Sequence, residues 1–436
     1  MRISIFGLGY VGAVSAACLA QDGHQVIGVD SSQDKVDFVN QGIAPIVEKD
    51  IAEMTLENVR LSRLRATTDV QEAIQNTDVS LVCVGTPSQT NGNLDLSFVR
   101  KVCEEIGTAL RDKDAYHVVA LRSTMLPGSA RSVVLPTLAV ASGKMPGKDF
   151  GVCVNPEFLR EGTAVYDYRH PPKTVIGETD MRAGDVLVKL YAGIEAPLVR
   201  TSVETSEMVK YADNTWHAIK VVFANEIGNI CKLTGIDGQE VMDIFCRDTK
   251  LNLSAYYLKP GFAFGGSCLP KDVRALAYKA RSLDLDAPML NAILPSNERQ
   301  IRKAIDMIVR KGQRRVGILG FAFKAGTDDL RESPMVEVIE HLIGKGYDLR
   351  IYDRNVSLAA LTGTNREFIL HRIPHICRLM VSTLQEIMDH GETLVVGNSA
   401  EEFRDVGNCL RQGQNLVDLV RIGDKHAGEN YDGICW

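Results

Sequence analysis

Six residues near the start of the chain, Gly7-Leu8-Gly9-Tyr10-Val11-Gly12, leave it few folds to choose from. Ahead of them Arg2–Phe6 alternates into a short buried strand. Behind them an apolar-periodic helix runs through about Ala20, and a second strand, Gln25–Val29, ends at Asp30. Strand, glycine turn, helix and strand in that order form a βαβ unit in which each glycine has its own purpose. Gly7 permits the tight turn, Gly9 lets the backbone approach a pyrophosphate, and Gly12 lets helix and strand pack closely. The helix N-terminus then presents free N–H groups and a partial positive charge to the phosphates. Asp30 lies 23 residues after Gly7. A carboxylate there accepts both ribose hydroxyls of NAD and repels the 2′-phosphate of NADP, so the pattern predicts NAD.

The alternation continues. Asp78–Val84 reads as a strand ending in Gly85-Thr86-Pro87, and Val118–Leu121 as another ending in Arg122-Ser123-Thr124. Ligands of open parallel sheets sit beyond the carboxyl ends of the strands, which puts Thr86 and Thr124 in reach of a cofactor or of reacting groups. A helix cap or turn hydroxyl is the plainer reading of each. The theme returns from Arg314, with a strand Arg315–Leu319, Gly320, a helix from Pro334 to about Lys345, and a strand Leu349–Tyr352 ending at Asp353. Thr393–Val396 and Asn415–Leu419 are further strands. This second Rossmann-like unit has a degenerate glycine pattern. It is expected to bind a nucleotide or help close a site, against a purely structural or dimerising role.

Between the two units, Thr201 to about Thr234 is helical, with Thr201-x-x-Glu204 as a capping box and Gly235 as a stop. A rod of roughly 50 Å exceeds what one small domain needs and suits a domain connector or dimer core. Lys210, Asn214, His217 and Asn225 fall within about 80° of one another at about 100° per residue. On a helix rich in Val, Ile, Phe and Ala, such a stripe lines a site more often than it faces solvent. The fold class expected is α/β, with two Rossmann-like doubly wound domains joined by a central helical domain containing one long helix. The divisions fall at residues 1–200, 201–300 and 301–436.

Composition narrows the function. A net charge of −6 argues against nucleic acid and against an anionic membrane surface, while leaving room for an anionic small substrate. Ten cysteines with no C-x-x-C pair fit reduced thiols in the cytoplasm better than a disulfide framework or a zinc site, so no metal is expected. Ser15-Ala16-Ala17-Cys18 imitates an export signal, but Gly7, Gly9 and Gly12 interrupt the apolar run. No uninterrupted stretch of about 18 apolar residues predicts a membrane helix.

Two stretches carry chemistry. In Gly261-Phe262-Ala263-Phe264-Gly265-Gly266-Ser267-Cys268-Leu269-Pro270-Lys271-Asp272 the glycines are expected to let a ligand approach the backbone. Pro270 suits the first turn of a helix continuing through Val273–Ala280. Cys268 then stands at a helix N-terminus beside Lys271, and both features favour a reactive thiolate. A buried small hydrophobe is the ordinary use of a cysteine; the glycine-rich, charged setting favours a nucleophile. The second stretch is Asn155-Pro156-Glu157-Phe158-Leu159-Arg160-Glu161-Gly162, whose two carboxylates at i and i+4 are expected on one helical face, as a base or as ligands of substrate hydroxyls.

At this point the chain resembles the nucleotide-sugar 6-dehydrogenase family. The likeness rests on GLGYVG at 7–12, GTP at 85–87, RSTMLPG at 122–128, NPEFLREG at 155–162, GFAFGGSCLPKD at 261–272 and GFAFKAGTDDLRESP at 320–334, which fall in all three expected domains. Within the family the overall likeness, including Leu251–Asp272, is greatest to the branch acting on GDP-mannose. The resemblance implies a four-electron oxidation of a primary alcohol to a carboxylate with two NAD+ and one water. It makes Cys268 the nucleophile and Lys210 the oxyanion partner. Asp272 orders the water or shares base work, and Glu157 and Thr124 assist hydrolysis. It assigns NAD contacts to Gly7, Gly9, Tyr10, Val11, Gly12, Asp30, Lys35, Thr86, Thr124, Lys271 and Arg331. It assigns the sugar nucleotide to Glu161, Lys210, Asn214, His217, Asn225, Tyr256, Tyr257, Lys259, Phe262, Gly265 and Lys324. The first domain then binds NAD, the second dimerises through the long helix and carries the cysteine loop, and the third binds the nucleotide sugar. A homodimer that can pair further, located in the cytoplasm, is implied as well. The competing readings are a UDP-glucose enzyme, a two-electron hydroxyacid dehydrogenase of 6-phosphogluconate type, and a non-catalytic NAD-responsive regulator.

Overall fold

A computed structural model describes residues 1–250, 257–284, 287–356, 363–374, 376–422 and 430–436. The chain forms two compact units, Met1–Asp213 and Asn214–Trp436. The first holds an eight-stranded sheet of β1 (Arg2–Phe6), β2 (Gln25–Val29), β3 (Leu64–Thr67), β4 (Val79–Val82), β5 (His117–Leu121), β6 (Phe150–Val154), β7 (Thr174–Glu178) and β8 (Leu198–Ser202). Their spatial order is β3-β2-β1-β4-β5-β6-β7-β8. All pairs are parallel except β6 with β7.

Helices cover both faces, which is why strands such as His117–Leu121 are buried at every position. Alternate residues of one strand feed opposite cores. Val118 and Ala120 join Ile3, Ile5 and Leu81 on one face, while Val119 and Leu121 join Phe6 and Val82 on the other. The point where the order reverses, between β1 and β4, is where ligands of such sheets bind.

The second unit contains helices Gly238–Phe245, Leu269–Ser282 and Pro288–Arg310, followed by a parallel sheet. Its strands are β9 (Arg315–Leu319), β10 (Asp348–Tyr352), β11 (Thr393–Val396), β12 (Asn415–Asp418) and β13 (Tyr431–Gly433), in the order β10-β9-β11-β12-β13. Here too alternation splits the strands, Ile318, Val395 and Val417 packing on one face and Leu319, Val396 and Leu416 on the other. The α/β class with two Rossmann-like sheets and a helical region between them is the one expected. The long helix runs Val203–Leu233.

Its cap is not the one the sequence suggested. Thr201 belongs to β8, and the Ser202 hydroxyl accepts from the Thr205 N–H at 3.2 Å. Glu204 instead pairs with Arg131. A strand not expected from the sequence runs through Ser202 and places the cap one residue further on. The strand expected over Asp78–Val84 is confined to Val79–Val82. Among the described residues no helix is long and apolar enough to cross a membrane. No disulfide joins the cysteines, of which Cys18, Cys103, Cys153, Cys231 and Cys435 are buried and Cys268, Cys377 and Cys409 exposed.

Candidate active site

In the first unit the glycine turn is built by contact. Gly7 has φ 91°, the left-handed region that a side chain disfavours. A Cβ on Gly12 would lie 1.8 Å from the Gly7 carbonyl oxygen, whereas one on Gly9 would meet nothing within 4 Å. The space beyond Gly9 is therefore open, at the start of helix Tyr10–Gln21. No side chain caps that helix and no acidic residue occupies its first turn. Uncapped N–H groups beside an open glycine fit a dinucleotide pyrophosphate.

Asp30 is already engaged. Its Oδ2 accepts from the Leu8 N–H at 2.8 Å and from Lys35 Nζ at 3.1 Å, and its Oδ1 from the Ser32 N–H at 3.0 Å. A carboxylate offers about four acceptor positions, so one on Oδ1 remains for a further donor such as a ribose hydroxyl. Asp30→Ala is therefore expected to raise the KM for NAD by roughly ten- to a hundredfold, the value of one charge-assisted hydrogen bond. It should also narrow the preference for NAD over NADP. Initial rates with both cofactors check this, and an unchanged NAD/NADP ratio of kcat/KM would remove Asp30 from the discrimination.

Tyr10 donates to Glu48, whose carboxylate also accepts from the Gly162 N–H at 2.7 Å and the Ala164 N–H at 3.3 Å. Burial, then Glu48, pushes the Tyr10 phenol far above its ordinary range, so it stays a donor. Val11, next in the helix, is half-buried. The Thr86 hydroxyl donates to the Thr124 carbonyl at 2.8 Å and the Ser123 hydroxyl to the Val84 carbonyl at 2.6 Å, tying the ends of β4 and β5 together.

Residues 155–162 contain no helix, so Glu157 and Glu161 do not share a helical face. Carboxylates claim the backbone donors that a helix would need. Glu157 Oε2 accepts from the Leu159 N–H at 2.7 Å, Asp167 from the Arg160 N–H at 2.9 Å, and Glu48 from Gly162. Glu157 is buried and forms an ion pair with buried Lys210 at 2.8 Å. Burial pushes the Glu157 carboxyl up, but the Lys210 charge and hydrogen bond, the Leu159 N–H and Arg122 together outweigh it and hold it below the usual carboxylate range. Glu161 is half-buried. A cavity of about 40 Å³, lined by Arg122, Asn155, Glu157 and Tyr191 among others, adjoins Glu157 and has room for water.

Four residues here escaped sequence reasoning as site supports. The Arg122 guanidinium donates to Asn155 at 2.5 Å and to the Tyr191 hydroxyl at 2.8 Å. Buried Glu207 accepts from the Gly128 and Ala130 N–H groups at 2.6 and 2.8 Å, fixing the loop that follows Thr124. Burial pushes its carboxyl up to about 7. Glu48 completes the set. The RSTMLPG and NPEFLREG motifs mark the loops these groups hold, but no local pattern marks Glu48, Tyr191 or Glu207.

In the second unit Cys268 is the N-cap of helix Leu269–Ser282, is exposed, and has Ser267 Oγ 3.7 Å from its Sγ. Asp272, in the first turn and 1 % exposed, accepts from Asn214 Nδ2 and pairs with Lys271 Nζ at 3.2 Å. His217 stacks on Tyr257 with ring centroids 4.8 Å apart. Asn225 Oδ1 accepts from the Gly261 N–H at 2.7 Å, and its Nδ2 donates to the Phe262 carbonyl at 3.2 Å. The polar face of the long helix is thus buried rather than solvated at Lys210, Asn214 and Asn225.

The glycines of this loop meet the chain itself. A Cβ on Gly265 would lie 2.4 Å from the Glu332 carbonyl oxygen, and one on Gly266 2.9 Å from the Phe323 ring. They admit close packing by residues 323–334, where ligand approach was expected. Phe262 packs on the apolar core of this unit. Lys259 pairs with Asp243 at 2.5 Å, and Arg331 grips Asp329 through two bonds of 2.8 and 2.6 Å. Lys324 is exposed. Tyr256 lies outside the described residues. At the end of β10, Asp353 Oδ2 accepts from the Phe321 and Ala322 N–H groups at 2.8 and 3.0 Å. The Phe321 contact repeats the one Asp30 makes with Leu8, and the Ala322 contact adds a second backbone donor to the same carboxylate oxygen.

Comparison with known proteins adds the family context. Three family models match in succession: the NAD binding domain of the UDP-glucose/GDP-mannose dehydrogenase family over residues 1–195, its central domain over 204–299, and its UDP binding domain over 317–425. The GDP-mannose 6-dehydrogenase of Pseudomonas aeruginosa is 55% identical over 436 residues, covering 100% of both chains. The crystal structure of a ternary complex of GDP-mannose dehydrogenase from that organism matches over 100% of both chains with a TM-score of 0.58. A UDP-glucose dehydrogenase from Pyrobaculum islandicum is 32% identical, with a TM-score of 0.89 over 100% of this chain and 97% of that one.

Proposed function

Because the chain belongs to the UDP-glucose/GDP-mannose dehydrogenase family, an NAD-dependent group of nucleotide-sugar oxidoreductases, we propose that it oxidises the C6 alcohol of GDP-mannose to the carboxylate, giving GDP-mannuronate for alginate or a related exopolysaccharide. The sugar nucleotide is read from the 55% full-length identity to a GDP-mannose 6-dehydrogenase. The covalent route is read from one observation: Cys268 at the N-cap of a helix whose first turn carries Lys271 and buried Asp272.

NAD, when bound, supplies the hydride acceptor, and two equivalents are consumed per sugar. The chain's residues do the rest. Loss of hydride and proton turns the alcohol into an aldehyde. The Cys268 thiolate attacks its carbonyl carbon, forming a C–S bond and a thiohemiacetal oxyanion, for which Lys210 is the proposed donor. Loss of the second hydride leaves a thioester. Water, ordered by Asp272 with help from Glu157 and Thr124, attacks that carbon; the C–S bond breaks, and carboxylate and thiolate are released. The helix N-terminus stabilises the thiolate at both ends of the cycle.

Gly7, Gly9, Tyr10, Val11, Gly12, Asp30, Lys35, Thr86, Thr124, Lys271 and Arg331 are the proposed cofactor contacts. Glu161, Lys210, Asn214, His217, Asn225, Tyr256, Tyr257, Lys259, Phe262, Gly265 and Lys324 are the proposed sugar-nucleotide contacts. We read residues 1–200, 201–300 and 301–436 as the cofactor, dimerisation and nucleotide-sugar domains of a cytoplasmic homodimer. Support for the dimer comes from the long helix, where Met208, Trp216 and Phe223 are 43, 46 and 41% exposed. These three lie within about 80° of one another at about 100° per residue, an apolar stripe that a partner helix would cover.

The reading predicts two NADH per GDP-mannose consumed and a kcat/KM for GDP-mannose well above that for UDP-glucose. Absorbance at the NADH band against limiting sugar gives the stoichiometry. One NADH per sugar would indicate a two-electron dehydrogenase. A preference for UDP-glucose would overturn the substrate but leave the mechanism.

A further inference from the structure

The loop leading to Cys268 is held by an unusual set of partners. From Pro260 to Phe264 its backbone is met by four side-chain amides, all buried: Asn225, Gln239, Asn297 and Gln300. Gln239 Nε2 donates to the Pro260 carbonyl at 2.5 Å. Asn225 takes the Gly261 N–H and gives to the Phe262 carbonyl, as above. Gln300 Nε2 donates to the Gly261 carbonyl at 2.5 Å. Asn297 closes a two-bond ring with Phe264, accepting from its N–H and donating to its carbonyl, both at 2.9 Å. Behind them Gln300 Oε1 accepts from Asn229 at 3.0 Å, and its Nε2 lies 3.3 Å from the thiol sulfur of buried Cys435.

Backbone without helix or strand ordinarily turns its polar groups to water. Here six of those groups are satisfied by side chains from three helices, all neutral. A neutral amide offers donor and acceptor together without adding a charge near a thiolate or an oxyanion. The clamp ends at Phe264, four residues before Cys268. Gly265 and Gly266 follow, seated against residues 323–334.

We propose that Asn297 and Gln300, which lie outside the cofactor and sugar assignments above, are positioning residues that set the placement of the Cys268 thiol by clamping residues 261–264. The proposal rests on the reading of Cys268 as nucleophile, and its test separates the two. In Asn297→Ala, kcat with saturating GDP-mannose and NAD should fall at least tenfold, with both KM values held within about threefold. In the same variant, alkylation of Cys268 by iodoacetamide, followed by peptide mass spectrometry without turnover, should slow at least threefold relative to exposed Cys377 in the same molecule. Gln300→Met, which keeps the side chain's length, should act in the same direction; it decides the question alone if Asn297→Ala does not fold. A folded variant with kcat and Cys268 alkylation both within twofold of the parent would overturn the proposal. So would a rise in KM with kcat unchanged, since that places the amides in binding only. Alkylation that slows in a protein showing no activity on any nucleotide sugar would uphold the clamp while removing the assigned reaction.

Discussion

Cys268→Ser should lower carboxylate formation by on the order of a thousandfold or more, with cofactor binding unaffected. A serine hydroxyl at this position is almost wholly protonated at neutral pH, and the helix N-terminus stabilises an anion only once one has formed. The first hydride transfer does not need the sulfur, so the variant should stall near the aldehyde. Quenched-flow analysis of the sugar products then gives at most one NADH per sugar, with aldehyde or its hydrate trapped by hydroxylamine. No mass increment is expected on the peptide holding residue 268, since an ester there would need the second hydride loss and a second NADH. Full turnover to the acid in this variant would exclude covalent catalysis through Cys268, whatever the substrate.

Breaking the Lys210–Glu157 pair should cost stability as well as turnover. Their side chains are 7 and 8% exposed, so removing one partner leaves the other as a buried charge, at about 3–5 kcal/mol. Lys210→Met or Glu157→Gln should therefore lower the melting temperature by roughly 6–20 °C for a unit of this size. The double variant should melt above either single one, because no uncompensated charge remains. All three should be catalytically impaired, which separates the pair's structural part from its chemical one. A double variant whose loss equals the sum of the two single losses would show that the pair is not coupled.

The pH dependence follows from the sign of the Glu157 shift. Its folded carboxyl lies below the ordinary range, so the pair contributes stability above the unfolded value of about 4.3. That contribution is lost as pH falls through the lower, folded value. The stability difference between the parent and Glu157→Gln should accordingly shrink below about pH 4.3. Calorimetry at a series of pH values reads it directly.

Two features announced in the sequence show how far local pattern reaches. The turn at residues 7–12 and Asp30 were legible because each glycine's purpose depends on neighbours within one βαβ unit. The start of helix Leu269–Ser282 was legible from Pro270, which put Cys268 at its N-cap. The misplaced cap at Thr201 and the missing helix over residues 155–162 have the opposite cause. There the outcome was settled by a strand edge and by carboxylates of Glu48 and Asp167, which compete for backbone donors from other parts of the chain.

What the sequence determined by itself was therefore the βαβ units that open the two sheets, the long helix between them and the chemistry at their ends. Two largely parallel sheets, a dinucleotide turn with an acid 23 residues on from Gly7, and a cysteine opening a helix all follow from periodicity and short-range sterics. Tertiary structure alone decided which groups hold those ends in place. Glu207 lies 79 residues from Gly128, Arg122 69 from Tyr191, and Gln300 39 from Gly261. Each contact exists only because the order of strands and helices brings distant segments together and burial then demands a partner for every polar atom. No local pattern encodes that demand; it arises when the layers close.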